Sequence, residues 1–414
     1  MITMAIDNKD KKVLKSSIER EQNEVACSAE CEKIKGSKNL NVPHLRFPEF
    51  SGEWDSFKLV ELGKFIGGGT PSSSNLSFWT GSIPWISSSD IKEDNINNIS
   101  ISRYITEDAI EKSATKYCPA PVILIVSRVG VGKVALSHTS LCTSQDFCNI
   151  IDIKCHPVFL SYNLLRTMKR KSREVQGTSI KGITSDELQK IRVFIPKNKD
   201  EQNKISNLLT LLDERIATQT KIIEDLKKLK SAISLKMLHS DSWEQFKIQD
   251  IASIGRGRVI SSVEISQQEN PLYPVYSSQT SNDGIMGYLD DFMFEGEYIS
   301  WTTDGANAET VFYRNGKFNC TNVCGLLKLK KGFDAHFVSL VLAEATRMYV
   351  STNLANPKLM NNTMGNIQIR LPKLEEQKRI SVVFRKLHGL LETHNSLIIK
   401  YSKQKQYLLS QMFI

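Results

Sequence analysis

The stretch "IRVFIPKNKDEQNKISNLLTLL", residues 191–212, indicates the architecture of the chain, because a second copy, "IQIRLPKLEEQKRISVVFRKL", occupies residues 367–387. Each copy leads into a long helical stretch. A shorter pair lies upstream, where "WDSFKLVEL" from Trp54 matches "WEQFKIQDI" from Trp243. The order of globular domain and long helix therefore occurs twice, and this internal repeat predicts a pseudo-two-fold architecture.

Both helical stretches carry a heptad repeat in which eight of ten seam positions are apolar. The polar exceptions fall at equivalent places, Gln219 and Lys230 in the first helix and His394 and Lys405 in the second. A period near 3.5 predicts helices packed along each other, whereas the alternative is two amphipathic helices that each pack on their own domain. In an antiparallel pair Gln219 faces His394, and this polar pair would fix the register. A catalytic or metal-binding role for His394 has little support, because no acidic or thiol residues repeat around it.

Composition narrows the class of protein. A chain of 414 residues predicts two or three domains, and 54 Lys plus Arg against 45 Asp plus Glu, a net charge of +9, favours a polyanionic partner. No apolar run is long enough to span a membrane, and the N-terminus has no apolar signal region. The eight cysteines then predict reduced thiols in a cytoplasm, and the two Cys-x-x-x-Cys pairs, at residues 27–31 and 320–324, lack the further ligands of a zinc site.

We predict an α+β fold of two α/β domains and two long helices that form an antiparallel coiled coil. Residues 1–44 contain no aromatic side chain and are expected to be disordered. The first domain is assigned to residues 45–196, with a helix over about 107–116, and the central helix to 197–240. The second domain is assigned to residues 241–372 and the C-terminal helix to 373–414.

The segment "VILIVSRVGVGKVALS", residues 122–137, resembles a phosphate-binding P-loop only in part. Ser127 stands where the first glycine of that motif belongs, and Val134 replaces the hydroxyl residue after the lysine. The sequence "KVALS" continues as an alternating strand rather than as a helix that could face an anion. We therefore expect a tight turn that presents Arg128 and Lys133 to an anion of another kind.

Three polar loops recur in register in the two domains while their residues change. "YPVYSSQT" stands where the first domain has "IPWISSSD", "YISWTTDGANAE" replaces "LIVSRVGVGK", and "NLANPKLMN" replaces "GTSIKGITS". Constant placement with variable chemistry is typical of a recognition surface. The segment "NPLY", residues 270–273, departs from the Asn-Pro-Pro-Tyr motif of adenine methyltransferases at Leu272, and the glycine pairs lack the helix of a cofactor site. No catalytic residue and no metal ligand is predicted.

Two variable α/β units, each followed by a near-repeated long helix, resemble the specificity subunit of type I restriction-modification systems. The segments "NVPHLRFPEFSGEW", "SSSDI", "LIVSRVGVGKVAL", "GTSIKGIT" and "IPKNKDEQNKISNLLTLLDERI" are similar to that family's sequences, and the resemblance covers residues 41–414. It implies two target-recognition domains that each read half of a split site in double-stranded DNA, held apart by the coiled coil. It also implies two modification subunits that bind S-adenosylmethionine, and restriction subunits that use ATP and Mg, with no cofactor on this chain.

On this interpretation the turn cations bind backbone phosphates, and the hydroxyl, amide and carboxylate side chains read base edges. The residues predicted to contact DNA are Thr70, Ser87, Ser88, Asp90, Ser127, Arg128, Lys133, Thr178, Lys181, Arg256, Arg258, Ser277, Ser278, Gln279, Thr302, Asn307 and Lys358. Two alternatives stay open: a protein-interaction scaffold with end domains on a coiled-coil rod and, with less support, an autonomous adenine methyltransferase.

Overall fold

The computed structural model of the chain describes residues 41–176, 182–305, 307–351 and 357–414. The disorder predicted for residues 1–44 falls, up to position 40, outside the described residues. The described chain forms two compact units. The first runs from residue 41 to Asp213 and includes Lys403–Ile414, and the second is Glu214–Ser402.

The first unit contains ten short strands, four helices and the start of a long helix. In chain order they are β1 Asp55–Lys58, α1 Leu59–Leu62, β2 Lys64–Gly67, β3 Ile83–Ile86, β4 Arg103–Ile105, α2 Glu107–Glu111, β5 Tyr117–Cys118, β6 Val122–Val126, β7 Val134–Ser137, β8 Leu141–Thr143, β9 Phe147–Ile151, α3 Pro157–Gln176, α4 Ser185–Lys190, β10 Arg192–Ile195 and α5 Lys199–Met237. Short 3-10 turns lie at Leu76–Trp79 and Ser88–Asp90.

The second unit repeats the order of the strands after α5 has ended, but its short helix lies before the third strand, whereas α2 of the first unit follows the fourth. Its elements are β11 Glu244–Lys247, α6 Ile248–Ile251, β12 Ala252–Arg256, α7 Ser262–Ser266, β13 Tyr273–Tyr276, β14 Ile285–Leu289, β15 Phe294–Glu295, β16 Tyr298–Thr302, β17 Val311–Arg314, β18 Lys317–Cys320, β19 Cys324–Leu329, α8 Ala335–Ala345, α9 Asn361–Asn366, β20 Gln368–Leu371 and α10 Leu374–Gln411. A 3-10 turn lies at Thr346–Tyr349, and a turn with left-handed backbone at Asn282 and Asp283 lies at Ser281–Gly284.

The sheets of the two units have the same topology. In the first unit the strand orders are β1-β10, β2-β9-β6-β7 and β4-β3-β8-β5, and in the second they are β11-β20, β12-β19-β16-β17 and β14-β13-β18-β15. The registers also agree, since Pro84 opposes Tyr104 and Pro274 opposes Tyr288. The predicted internal repeat and the α+β fold class are confirmed.

Each unit is built on central strands that are buried on both faces. All residues of β6 and β9 are buried, so these two strands form the centre of the first unit's core. In the second unit Trp301 on β16 is fully buried and donates its indole N–H to the Leu359 carbonyl at 2.9 Å. A Cβ atom on Gly325 would lie 2.1 Å from the Trp301 ring, so only glycine fits on the neighbouring strand.

The two long helices pair antiparallel, as the heptads predict. In the second unit His394 Nδ1 lies 2.5 Å from Gln219 Oε1, which confirms the predicted polar pair. Further along, Ile233 and Met237 of α5 pack in the same core cluster as Ile380 of α10. Contact partners thus advance along one helix as they retreat along the other.

A glutamine at the start of each long helix attaches the preceding domain to it. The Gln202 amide accepts from the His156 backbone N–H at 3.0 Å and donates to the Pro196 carbonyl at 2.9 Å. Gln377 accepts from the Asp334 N–H at 2.9 Å and donates to the equivalent proline carbonyl at 2.8 Å. Because both contacts are to backbone atoms, the attachment is independent of the neighbouring side chains.

The first residues of the described chain are held by a buried carboxylate. Arg46 donates to both oxygens of Glu201 at 2.7 and 2.8 Å, and the Trp54 indole N–H donates to Glu201 at 3.2 Å. Trp54 also packs against the rings of Phe159 and Phe413. This aromatic cluster joins α3 and the C-terminal residues into the first unit's core.

One predicted helix is shorter than expected. The helix predicted over residues 107–116 ends at Glu111. A Cβ atom on Gly69 would lie 2.4 Å from the backbone of Ala114, so the chain there leaves helical geometry to pack against the glycine loop. Within the described ranges, no helix combines the length and apolarity needed to cross a bilayer.

Candidate nucleic-acid interface

The turn between β6 and β7 has the form that the sequence predicts. Gly130 and Gly132 adopt φ values of +87° and +111°, which non-glycine residues rarely adopt, and β7 follows the lysine directly. Arg128 is exposed and has no hydrogen bond or ion pair to any described residue. Lys133 Nζ donates to the Ser88 carbonyl at 3.1 Å. The turn therefore lies against the serine-rich loop after β3 and leaves the Arg128 guanidinium available for an anion.

Ser127 supports this turn from inside. Its side chain is buried, and its hydroxyl donates to the Asp146 carbonyl at 3.1 Å. Its own carbonyl accepts from the Ile183 N–H at 2.8 Å, which brings the end of the "GTSIKGIT" segment to the turn. This burial argues against the direct DNA contact predicted for Ser127. The predicted contacts Thr178 and Lys181 lie outside the described residues.

The glycine loop after β2 joins the same surface. Thr70 is exposed and donates to the Gln145 side chain. The Gly69 carbonyl accepts from the Trp85 indole N–H at 2.9 Å, and a Cβ atom on Gly68 would lie 2.0 Å from the Ser144 carbonyl oxygen. The structure thus brings this glycine loop together with the loop after β3, the turn between β6 and β7, and Ile183 at the end of the third polar segment, although these segments are far apart in sequence.

The loop after β3 is internally bonded. The Asp90 carboxylate accepts from the Ser87 N–H at 2.7 Å and from the Ser87 hydroxyl at 3.0 Å. Arg103 also donates to Asp90 and to the Ser87 hydroxyl. The Asp90 side chain is therefore engaged within the protein, while Ser88 and the exposed Ser89 border the turn.

In the second domain, most predicted contact residues have partners within the protein. Arg258 is exposed and donates to Glu264 at 2.9 Å, and this bond raises its pKa. Arg256 donates to Asn361 at 3.0 Å, and Lys358 lies 3.6 Å from Asp304. Binding a phosphate at these cations would require exchange of an ion pair or a hydrogen bond.

The loop after β13 has side chains available at its start. Ser277 and Ser278 are half-buried, whereas the Gln279 amide donates to the Ile285 carbonyl. Asn307 is exposed in the loop after β16. Thr302 is buried, and its hydroxyl donates to the Asn307 carbonyl and accepts from a backbone N–H, which argues against the direct contact predicted for it.

Sequence reasoning missed the two arginines that hold these loops, Arg103 and Arg314. Neither lies in one of the recurring polar segments, so comparison of those segments could not predict them. Each is an arginine next to an aromatic residue on a strand, and this pattern in the sequence could have indicated them. Among the described residues, no group of three His, Cys, Asp or Glu side chains is placed to hold a metal ion.

A model of the family described as "Type I restriction modification DNA specificity domain" matches residues 51–228 and, a second time, residues 240–400. The chain belongs to this family. It therefore carries two type I DNA specificity domains, one on each half of the internal repeat, and the resemblance inferred from the sequence is confirmed.

Relatives of the specificity-subunit family match over about two fifths of this chain. A putative type I specificity subunit of Mycoplasma pneumoniae is 41% identical over 177 residues, which are 41% of this chain and 73% of that protein. The type I restriction enzyme MpnII specificity subunit of the same organism is 40% identical, over 41% of this chain and 53% of that protein. For the MjaIX specificity subunit of Methanocaldococcus jannaschii the identity is 33%, over 43% of this chain and 42% of that protein.

Solved structures from type I restriction-modification systems share the fold over most of the chain. The S subunit of a type I restriction-modification system from M. genitalium superposes with a TM-score of 0.66 at 18% identity, covering 90% of this chain and 99% of that one. A chain from a study of complex assembly in the type I system superposes with a TM-score of 0.54 at 14% identity, covering 89% and 99%. At these identities the likeness establishes the fold of two domains and paired long helices.

Proposed function

We propose that this chain reads a two-part site in double-stranded DNA, one half with each domain, and presents that site to separate modification and restriction subunits. The observation that carries the proposal is the double match to the DNA specificity family on two domains of the same topology whose loops differ in residues. Two identical readers would recognise a symmetric site. Two different readers on one scaffold suit an asymmetric, split site.

The charges of the first domain's surface support DNA as the ligand. Arg128 is exposed, has no hydrogen bond or ion pair to another residue that the structure describes, and lies beside backbone with positive φ angles, which suits a phosphate. The net charge of +9 favours association with a polyanion at long range. Binding should therefore weaken steeply as salt rises, since each phosphate contact releases counterions.

The chain itself has no catalytic role in this proposal. Methyl transfer would belong to two modification subunits that bind S-adenosylmethionine, and cleavage to restriction subunits that use ATP and Mg. The chain would work in the cytoplasm, where its DNA lies. The paired helices would set the distance between the half-sites and offer the long surfaces on which the subunits dock.

A methyl-transfer assay with labelled S-adenosylmethionine tests whether methylation requires a separate modification subunit. The purified chain alone should transfer no methyl group from labelled S-adenosylmethionine to DNA, and adding a modification subunit should produce labelled adenine at one split sequence. Methylation by the chain alone would identify it as an autonomous enzyme. Salt-insensitive or absent DNA binding, with or without the modification subunit, would favour a protein-interaction scaffold.

Exchange of domains tests whether each domain recognises its half of the site independently of the other. Replacing residues 45–190 with the first domain of another family member should change one half of the methylated sequence and leave the other half and the spacing as they were. The reciprocal exchange of the second domain is the matched control and should change only the other half. A hybrid that altered both halves would contradict independent reading.

A further inference from the structure

An arginine of the first domain holds the loop after β3 in a fixed shape. Arg103, on β4, donates to the Ser87 hydroxyl at 2.7 Å and forms an ion pair with Asp90. Its guanidinium carbon lies 4.5 Å from the centre of the Trp85 ring. We call residues 87–90 the first reading loop. Stacking and a forked set of hydrogen bonds restrict both the arginine and the loop residues that it contacts.

A different arginine does the same in the second domain. Arg314, at the end of β17, donates to the Ser300 hydroxyl at 3.0 Å and to Asp283 at 3.1 Å. Its guanidinium carbon lies 3.6 Å from the centre of the Tyr276 ring. The Arg314 side chain is 2% exposed, whereas that of Asp283 is 71% exposed. The buried cation therefore holds an exposed loop residue from below.

The loop that Arg314 contacts contains strained backbone, and the contact with Arg314 helps to hold it in that conformation. We call residues 277–284 the second reading loop. Asn282 and Asp283 have φ values of +49° and +54°, a left-handed conformation that costs free energy for residues other than glycine. The ion pair and hydrogen bond to Arg314 offset that cost. Loss of the Arg314 contact should release the second reading loop into other conformations.

The two arginines occupy positions that are not equivalent in the repeat. In the matched registers, the place of Arg103 on β4 is taken in the second domain by Gly287 on β14. Arg314 lies opposite the first residue of β16. The equivalent position in the first domain, opposite the first residue of β6, is occupied by Ser137. Each domain thus has an arginine at one of two positions and a small residue at the other. The same contact pattern of ion pair, hydroxyl and aromatic ring has been assembled from two different strands.

We propose that Arg103 and Arg314 are positioning residues that set the specificity of the two domains, each by fixing one reading loop against an aromatic ring of the preceding strand. The inference rests on the proposed function of reading a split DNA site. In a loop that is already ordered, the remaining hydroxyl and amide groups meet the base edges without a further loss of conformational entropy. Each arginine acts through the loop that it holds, so its effect is on discrimination between bases and not on attraction to phosphates.

The test uses the complex of the full chain with its modification subunits and maps all methylated sequences. Arg103→Gln should relax the base preference of one half-site about tenfold, comparable to the loss of a good base contact, and leave the other half unchanged. Arg314→Gln should relax the opposite half. The dependence of DNA affinity on salt should keep its slope in both variants, because no phosphate contact is lost. Arg103→Lys, which retains the cation, should recover part of the discrimination, whereas Arg103→Met should recover none.

Arg192→Gln is the matched control, since it removes an exposed arginine of the first domain whose side chain donates, among the described residues, only to the Ser56 hydroxyl. It should leave both half-sites unchanged. If Arg314→Gln does not fold, Asp283→Asn replaces it, because this exposed side chain is the loop's partner for Arg314. Unchanged half-sites in Arg103→Gln, or relaxation of both halves together, would overturn the positioning role. Absence of sequence-specific methylation by the unaltered complex would instead overturn the proposed function.

Discussion

A buried ion pair between the two long helices leads to a quantitative prediction. Lys405 of α10 contacts Asp213 of α5, and both side chains are only 4% exposed. Lys405 Nζ also donates to the Asp94 carbonyl at 2.7 Å, and Asp213 accepts from the Tyr162 hydroxyl at 2.8 Å. Burial lowers the pKa of Lys405, and the carboxylate of Asp213 opposes that shift. Lys405 occupies a seam position where the heptad would otherwise place an apolar residue, and Asp213 follows the seam residue Leu212.

Lys405→Met should destabilise the first unit strongly. The change leaves the Asp213 carboxylate buried without its cation, and breaking a buried pair from one side costs about 3–5 kcal/mol. For a unit of this size each kcal/mol lowers the melting temperature by about 2–4 °C, so a fall of about 10 °C is expected. The double variant Asp213→Leu with Lys405→Met removes both charges and should lie within about 2 kcal/mol of the natural chain.

Calorimetric or urea unfolding of the four chains in a double-mutant cycle measures the coupling. Lys403→Met is the control, since it removes an exposed lysine one half-turn away and should change the free energy of unfolding by less than about 0.5 kcal/mol. If the double variant lost as much stability as the two single variants added together, Asp213 and Lys405 would act independently. The large cost expected for Lys405→Met would then not come from the loss of this ion pair.

Three further predictions concern the second unit. Burial lowers the pKa of His336 to about 4 from an ordinary value of 6.5. Between these pH values the unfolded chain binds one more proton than the folded chain, so the free energy of unfolding should fall by about 1–2 kcal/mol as the pH drops from 6.5 to 4. His336→Gln should flatten this part of a plot of melting temperature against pH. Gln219→Leu should leave His394 at the seam without its amide partner and lower the free energy of unfolding in urea by about 1 kcal/mol. The double variant Gln219→Leu with His394→Leu should recover that stability but weaken the register of the helix pair. Cysteines introduced along the two helices should then form disulfides in more than one register. Gly325→Ala should lower the free energy of unfolding by about 1–3 kcal/mol, because the added methyl group would overlap the Trp301 ring; an unchanged melting temperature would show that the sheet can shift to make room.

The sequence alone determined the repeat, the pairing of the helices and the set of loops that form the candidate interface. Heptad spacing is a local property of each helix, and two copies with the same polar exceptions determine the partner and the direction. The contact between Gln219 and His394 was therefore predictable from positions 175 residues apart. The recurrence of three polar loops was likewise visible by comparing the two halves.

Which polar side chains within those loops remain available depends on the three-dimensional packing and could not be predicted from the sequence. Ser127 and Thr302 belong to the predicted loops but are buried, because the strands on either side bring carbonyl groups within reach of their hydroxyls. Arg103 and Arg314 hold the loops from different strands, since a guanidinium on a long side chain can reach the same contacts from either one. Whether a hydroxyl or a cation is free to bind a ligand depends on contacts with atoms that are distant in sequence. The periodic spacing of residues along the chain does not predict those contacts.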